Sequence, residues 1–132
     1  MDLKITTKEF EALMLCKAEV RYQYTLKRIA DTEGMWTIID NNNSFALQSY
    51  EDKQLFPIWS SKEYAQAFCV GDRDAYMCFA VTLDYFEEHV IDFVFNEGLL
   101  ISVFPTINEP YGKIVELNTF AEDLSCFLED YQ

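Results

Sequence analysis

The chain has 132 residues, half of them apolar and 16% aromatic, which is enough for one domain with a substantial core and excludes disorder. Its net charge of −13 makes nucleic acid and anionic lipid poor partners and suits a basic protein partner. No apolar run approaches the roughly 18 residues of a membrane span, and Met1-Asp2-Leu3-Lys4 lacks the pattern of an export signal, so the cytoplasm is the expected compartment.

The charge is unevenly placed. Residues 1–34 balance six Lys and Arg against six acids, so the whole excess falls in the rest of the chain. Cys16, Cys69, Cys78 and Cys126 are widely and irregularly spaced, with no Cys-x-x-Cys pair and a single histidine. That pattern argues against structural zinc and against a disulfide framework. The thiols read as small apolar core residues, and neither metal nor cofactor is expected.

In chain order, Phe10, Leu13 and Met14 share a face and predict a helix over about 8–15. The apolar phase then shifts, so a second helix over about 18–31 follows a break near Cys16-Lys17, with Ala18, Tyr22, Leu26, Ile29 and Ala30 inward. Arg21, Tyr24, Lys27 and Arg28 read as a solvated basic face. Met35–Asp40, Asn41–Asn43 and Ser44–Ser49 read as a hairpin, and Glu51–Lys53 as the next turn.

Gln54–Trp59 then runs as a strand directly into a helix ending near Cys69. Ser60 is the predicted N-cap, and Glu63 completes a capping box with it. Pro57, without an N–H, belongs at a sheet edge, a bulge or a pairing-free start. Tyr76–Thr82 and Leu99–Pro105 are apolar on both faces and predict a parallel pair in the middle of a covered sheet, joined by a helix over 83–97. A short strand at Ile114–Leu117 precedes a terminal helix, with Thr119 and Glu122 at capping-box spacing and Phe120, Leu124, Phe127, Leu128 and Tyr131 inward. The expected fold is a single α+β domain over residues 1–132: N-terminal helices, a hairpin or meander, then β-α-β-α-β on a mixed sheet and a C-terminal helix.

Chemistry is sparse. His89 borders the apolar stripe of its helix, and Asp84, Glu88 and Asp92 line the polar side at i, i+4 spacing, too few oxygens for a specific cation site. Cys78 and His89 are the available thiol–imidazole pair, but Cys78 reads as a buried strand residue. No Gly-x-Ser-x-Gly turn or phosphate-cradling loop is present. Trp36, Tyr50, Trp59, Tyr64 and Tyr76 gather around the hairpin and the strand–helix junction, where aromatics anchor cores and binding surfaces alike. On the helix over 83–97, a rotation of about 100° per residue leaves Ile91 and Phe95 outside the stripe of Phe86, Val90 and Phe93. The terminal helix is expected to cover Phe95, with Ile91 at the rim of a modest dimer contact, giving a monomer or weak homodimer.

Arg21-Tyr22-x-Tyr24, Lys27-x-x-Ala30-Asp31, Trp36, Ala46-Leu47, Leu55–Trp59, Glu63-Tyr64-Ala65, Leu83-Asp84-x-Phe86 and Val103-Phe104-Pro105 together resemble the bacterial DUF2750 family over about residues 18–128. Thr25 departs from it, standing where an aromatic is expected. The resemblance implies a small cytosolic bacterial protein and carries no activity with it. The order of strand, capped helix and strand–helix–strand is also similar to the N-terminal domain of SseB-type proteins, an analogy of supersecondary order. The leading expectation is a non-catalytic acidic interaction module of immunity or regulatory type. The alternative is a small-ligand or enzymatic domain with a pocket near Trp36, Trp59 and His89.

Overall fold

The computed structural model describes residues 5–129. Helix α1 (Thr7–Leu15) starts at Thr6, whose hydroxyl accepts from the Glu9 N–H at 3.0 Å, and stops at Cys16. Helix α2 (Ala18–Thr32) follows at once, so the break falls where the apolar phase shifts. Tyr22, Leu26, Ile29 and Ala30 are buried as expected.

The basic face is solvated only in part: Lys27 is exposed, but Arg21 is not. Arg21 is fully buried, with Nη1 donating to Cys16 O at 2.5 Å, Nε to Phe104 O at 3.3 Å and Nη2 to the Glu109 carboxylate at 2.7 Å. Thr25, also fully buried, donates its hydroxyl to Arg21 O, so its place on the inner face is filled by a satisfied polar group. Arg28 pairs with Glu9 and Asp31 and lies 5.5 Å over the Tyr24 ring.

Strands β1 (Gly34–Ile39), β2 (Gln48–Tyr50) and β3 (Lys53–Ile58) follow. The hairpin expected after β1 shrinks to one Ile39–Phe45 bridge and an Ala46 N–H bond to Ile38 O. The turn itself forms, with the Asp40 carboxylate accepting from the Asn42 and Ser44 amides and Asn43 at φ 63°. β1 instead pairs antiparallel with β4 (Met77–Thr82) along its whole length, from Gly34–Thr82 to Ile39–Met77. This ladder uses the edge of β1 opposite the return segment, whose own edge is shared with Trp59 through its bonds to Trp36.

β4 is therefore not the central strand expected. In β4 only Val81 is buried: Met77, on the same face but at the strand's far end, is 58% exposed, and Ala80 and Thr82 on the other face are exposed. The covered strands are β3 and β5 (Leu100–Val103), which form the parallel pair, Leu55 against Leu100 through Ile58 against Val103. β2 and β6 (Lys113–Val115) flank them antiparallel in the order β2-β3-β5-β6, a mixed sheet. Together these elements make an α+β domain.

Pro57 explains how the two sheets meet. β2 covers β3 only as far as Leu55, and β1 reaches β3 only at the Trp36–Trp59 bridge. Backbone groups alternate in direction along a strand. Ile58 O accepts from Phe104 of the β5 side, whereas Trp59 bonds both ways to Trp36, so Pro57 turns its donor-less nitrogen toward the gap between β2 and β1. Its carbonyl is served there by the buried Thr37 hydroxyl at 2.7 Å.

A continuous helix over 83–96, here α4, crosses back to β5. It comprises an α turn (Leu83–Tyr85), a π turn (Phe86–Val90) and an α segment (Ile91–Asn96). The π turn inserts a residue into the α repeat and breaks the uniform rotation on which the Ile91 and Phe95 positions were predicted. Phe86 and Val90 face the core, and Phe86 meets Phe120 at 5.7 Å. After the turn Phe93 packs on Phe45 at 5.2 Å and Ile91 is half-buried against the core. Phe95 is 76% exposed, so the terminal helix does not cover it.

That helix, α5 (Leu117–Glu129), begins ahead of Thr119, which lies inside its first turn and so cannot be the cap. Phe120 and Leu124 are buried and Phe127 and Leu128 half-buried, whereas Tyr131 lies outside the described residues. Phe104, just past β5, is left-handed at φ 55°, unusual for a bulky side chain. Its N–H on Ile58 O and its carbonyl on Arg21 hold it there.

Candidate functional site

The strand–helix junction differs from its sequence reading by one residue. Trp59 still exchanges both backbone bonds with Trp36, at 2.8 and 2.9 Å, and so extends β3 beyond Ile58. Helix α3 therefore spans Lys62–Phe68 with Ser61, not Ser60, at the N-cap, and neither serine caps it. Glu63 is then one position short of the capping-box site.

Both hydroxyls are instead buried and lack a hydrogen-bond partner among the described residues, in residues each 7% exposed. An unpaired buried hydroxyl costs about 1–3 kcal/mol, so the pair is an energetic anomaly in a chain that satisfies Arg21, Thr25 and Thr37 in full burial. The two serines line a cleft of about 150 Å³ between the start of β1, the end of β4 and the start of α3. Trp36 forms one wall with the Lys62 ammonium 6.0 Å from its ring, and Glu33 and Glu63 add two carboxylates.

The other expected site residues disperse. Trp59 is fully buried, donating its indole N–H to Pro105 O at 2.9 Å and packing 5.4 Å from Phe68. Tyr64 is core, stacked on Phe10 at 5.7 Å and against Phe104 at 4.6 Å. Its hydroxyl lies 3.1 Å from that of Tyr24, which in turn donates to Glu9. Burial, then the Tyr24 hydroxyl, raises the Tyr64 phenol well above its usual range. Tyr50 pairs with Tyr111 at 4.9 Å.

His89 stands exposed on the π turn, its ring 4.7 Å from Tyr85 and its Nε2 3.9 Å from Glu88. Trp36, Trp59 and His89 are thus not gathered into one pocket: the first lines the cleft, the second fills the core and the third faces solvent. Nor does Cys78 meet His89. Its partner is Cys69 at the end of α3, and burial followed by that neighbour pushes the Cys69 thiol up to about 11. Both thiols are protonated near neutral pH and poor nucleophiles.

A second concavity, of about 470 Å³, lies where α2, α4 and α5 converge. Asp31, Glu33, Asp84 and Glu87 surround Leu83 and Leu128 there. Arg28 reaches Asp31 at 3.3 Å. The Thr82 hydroxyl caps α4 by accepting from Tyr85 N at 3.1 Å, which fixes Asp84 and Glu87 on the helix's first turns. Sequence reasoning treated the α4 acids as a solvated stripe and missed this groove, because it depends on where α2 ends relative to α4. No group of His, Cys, Asp and Glu among the described residues is arranged to hold a metal ion. No helix among them is long and apolar enough to cross a membrane.

Comparison with curated proteins and with solved structures finds no match. A family model does match, across residues 22–124, taking in α2 from Tyr22, both sheets, the cleft and most of α5. The chain belongs to the family of proteins of unknown function DUF2750.

Proposed function

We propose that this protein is a non-catalytic interaction module of the bacterial cytosol, of immunity or regulatory type, which receives a basic segment of a partner protein. The observation that carries this reading is the groove of Asp31, Glu33, Asp84 and Glu87 around an apolar floor of Leu83 and Leu128. Four carboxylates within one concavity, on a chain of net charge −13, create a negative potential that attracts Lys- and Arg-rich segments and speeds their encounter. The apolar floor suits the methylene stems of such side chains. The large aromatics that might have lined a catalytic pocket, Trp59 and Tyr64, are spent on the core instead.

The test is calorimetric titration of the whole chain with a Lys- and Arg-rich peptide, at low and physiological salt. Binding is expected to weaken with salt and to fall by about tenfold in Asp84→Lys/Glu87→Lys, about 1.4 kcal/mol. Asp52→Lys/Glu116→Lys, an equal charge change at exposed sites outside the groove, is expected to matter much less. Equal losses in the two double variants would show general charge attraction and no groove.

A further inference from the structure

We infer that the cleft beside Ser60 and Ser61 is a binding site for a small zwitterion, a free α-amino acid with little or no side chain. Three observations converge on it. The first is the pair of hydroxyls, nine-tenths buried in their residues and without a partner among the described residues, in a structure whose other buried polar side chains, Arg21, Thr25 and Thr37, are served. Each hydroxyl hangs on one bond with three staggered positions. Each oxygen is itself covered, and rotation about χ1 is the movement that would bring it to the cleft its residue lines.

Size is the second. The cleft's volume is about 150 Å³, which suits a molecule of few heavy atoms. Nucleotides and larger cofactors are too big for it, since their pockets run to about 300 Å³ and more. Charge is the third. The cleft is lined by residues of both signs, Lys62 with Glu33 and Glu63, and the Lys62 ammonium lies 6.0 Å from the ring of Trp36, another lining residue. A simple anion would meet two like charges and a simple cation one. A zwitterion sets its carboxylate toward Lys62 and the seryl O–H donors, and its ammonium toward a glutamate.

This site is separate from the acidic groove except for Glu33, which borders both. Its test leaves Glu33 untouched. The full chain, labelled with ¹⁵N, is titrated with glycine, and in parallel with sodium acetate and methylammonium chloride as the two halves of the zwitterion. Glycine is expected to shift the Ser60–Glu63 amides and the Trp36 indole N–H saturably, and each half-ligand to bind at least about tenfold more weakly. Ser60→Ala/Ser61→Ala is expected to lose glycine affinity by about tenfold with the remaining spectrum unchanged. Lys62→Gln alters an exposed side chain, so it cannot unfold the protein, and a similar loss is expected from it. Glycine affinity unchanged in either variant overturns the site. So does acetate or methylammonium binding as tightly as glycine, or the absence of saturable shifts up to about 10 mM glycine.

Discussion

Two buried polar centres of this protein have opposite fates. The Arg21 guanidinium is fully buried, and each of its three nitrogens donates to a partner, two carbonyls and a carboxylate drawn from opposite ends of the chain. The Ser60 and Ser61 hydroxyls are buried almost as deeply and have nothing. Burial is therefore not what separates structural polarity from functional polarity here. Saturation is: a filled hydrogen-bond set holds the fold together, whereas an empty one leaves capacity for something from outside.

The contrast breaks most visibly at the guanidinium. Arg21→Ala is expected to destabilise the protein by about 3 kcal/mol, the lower end for breaking a buried pair, because Glu109 is 51% exposed and keeps some solvation. Denaturant unfolding measures this, and a loss under about 1 kcal/mol would mean that Arg21 is held by packing and not by its bonds. The loop it clamps offers a second test. Gly112 sits at φ 55°, and an added Cβ would lie 2.4 Å from Val103 O. Gly112→Ala is expected to cost about 2 kcal/mol in the same assay, and near-neutral behaviour would show that the loop yields freely.

At the empty centre the expected effect is smallest. Ser60→Ala removes a hydroxyl with no partner and is expected to raise stability by about 1 kcal/mol, its desolvation cost partly offset by lost packing. As a helix cap Ser60 would have cost about 1 kcal/mol on replacement. A loss of that size would restore the capping reading and end the contrast.

Much of the fold was legible in local pattern. The break at Cys16-Lys17, the strand leading into α3 and the need of Pro57 for a pairing gap all follow from residue chemistry within a few positions. What was not legible depended on distant partners. The Asn41–Asn43 turn advertises a hairpin, yet the return segment keeps only the Phe45 bridge, because Trp59 from β3 takes the next place on that edge of β1. Apolar residues on both faces of β4 looked like central-strand composition, although only Val81 is buried and Cys78 and Phe79 are covered in part. The helical wheel left Phe95 outside the apolar stripe, where it is, but the expectation that α5 covers it depended on where α5 lies, and Phe95 is exposed. Arg21 was read as solvated because a single sequence cannot show that Phe104 and Glu109 come to meet it. At the junction, one extra strand residue at Trp59 moved the N-cap from Ser60 to Ser61 and turned an assumed cap into two unpaired hydroxyls.

The Arg21 clamp also sets a clock. Its carbonyl and carboxylate partners at Phe104 and Glu109 lie 83 and 88 residues downstream. A ribosome adding about 5–20 residues per second delivers the second of them roughly 4–18 s after the arginine itself. During that interval α2 cannot seat its inner face without stranding a charge in the core, so docking before β5 is made is penalised. Early closure of α2 on a sheet that still lacks β5 is thereby disfavoured.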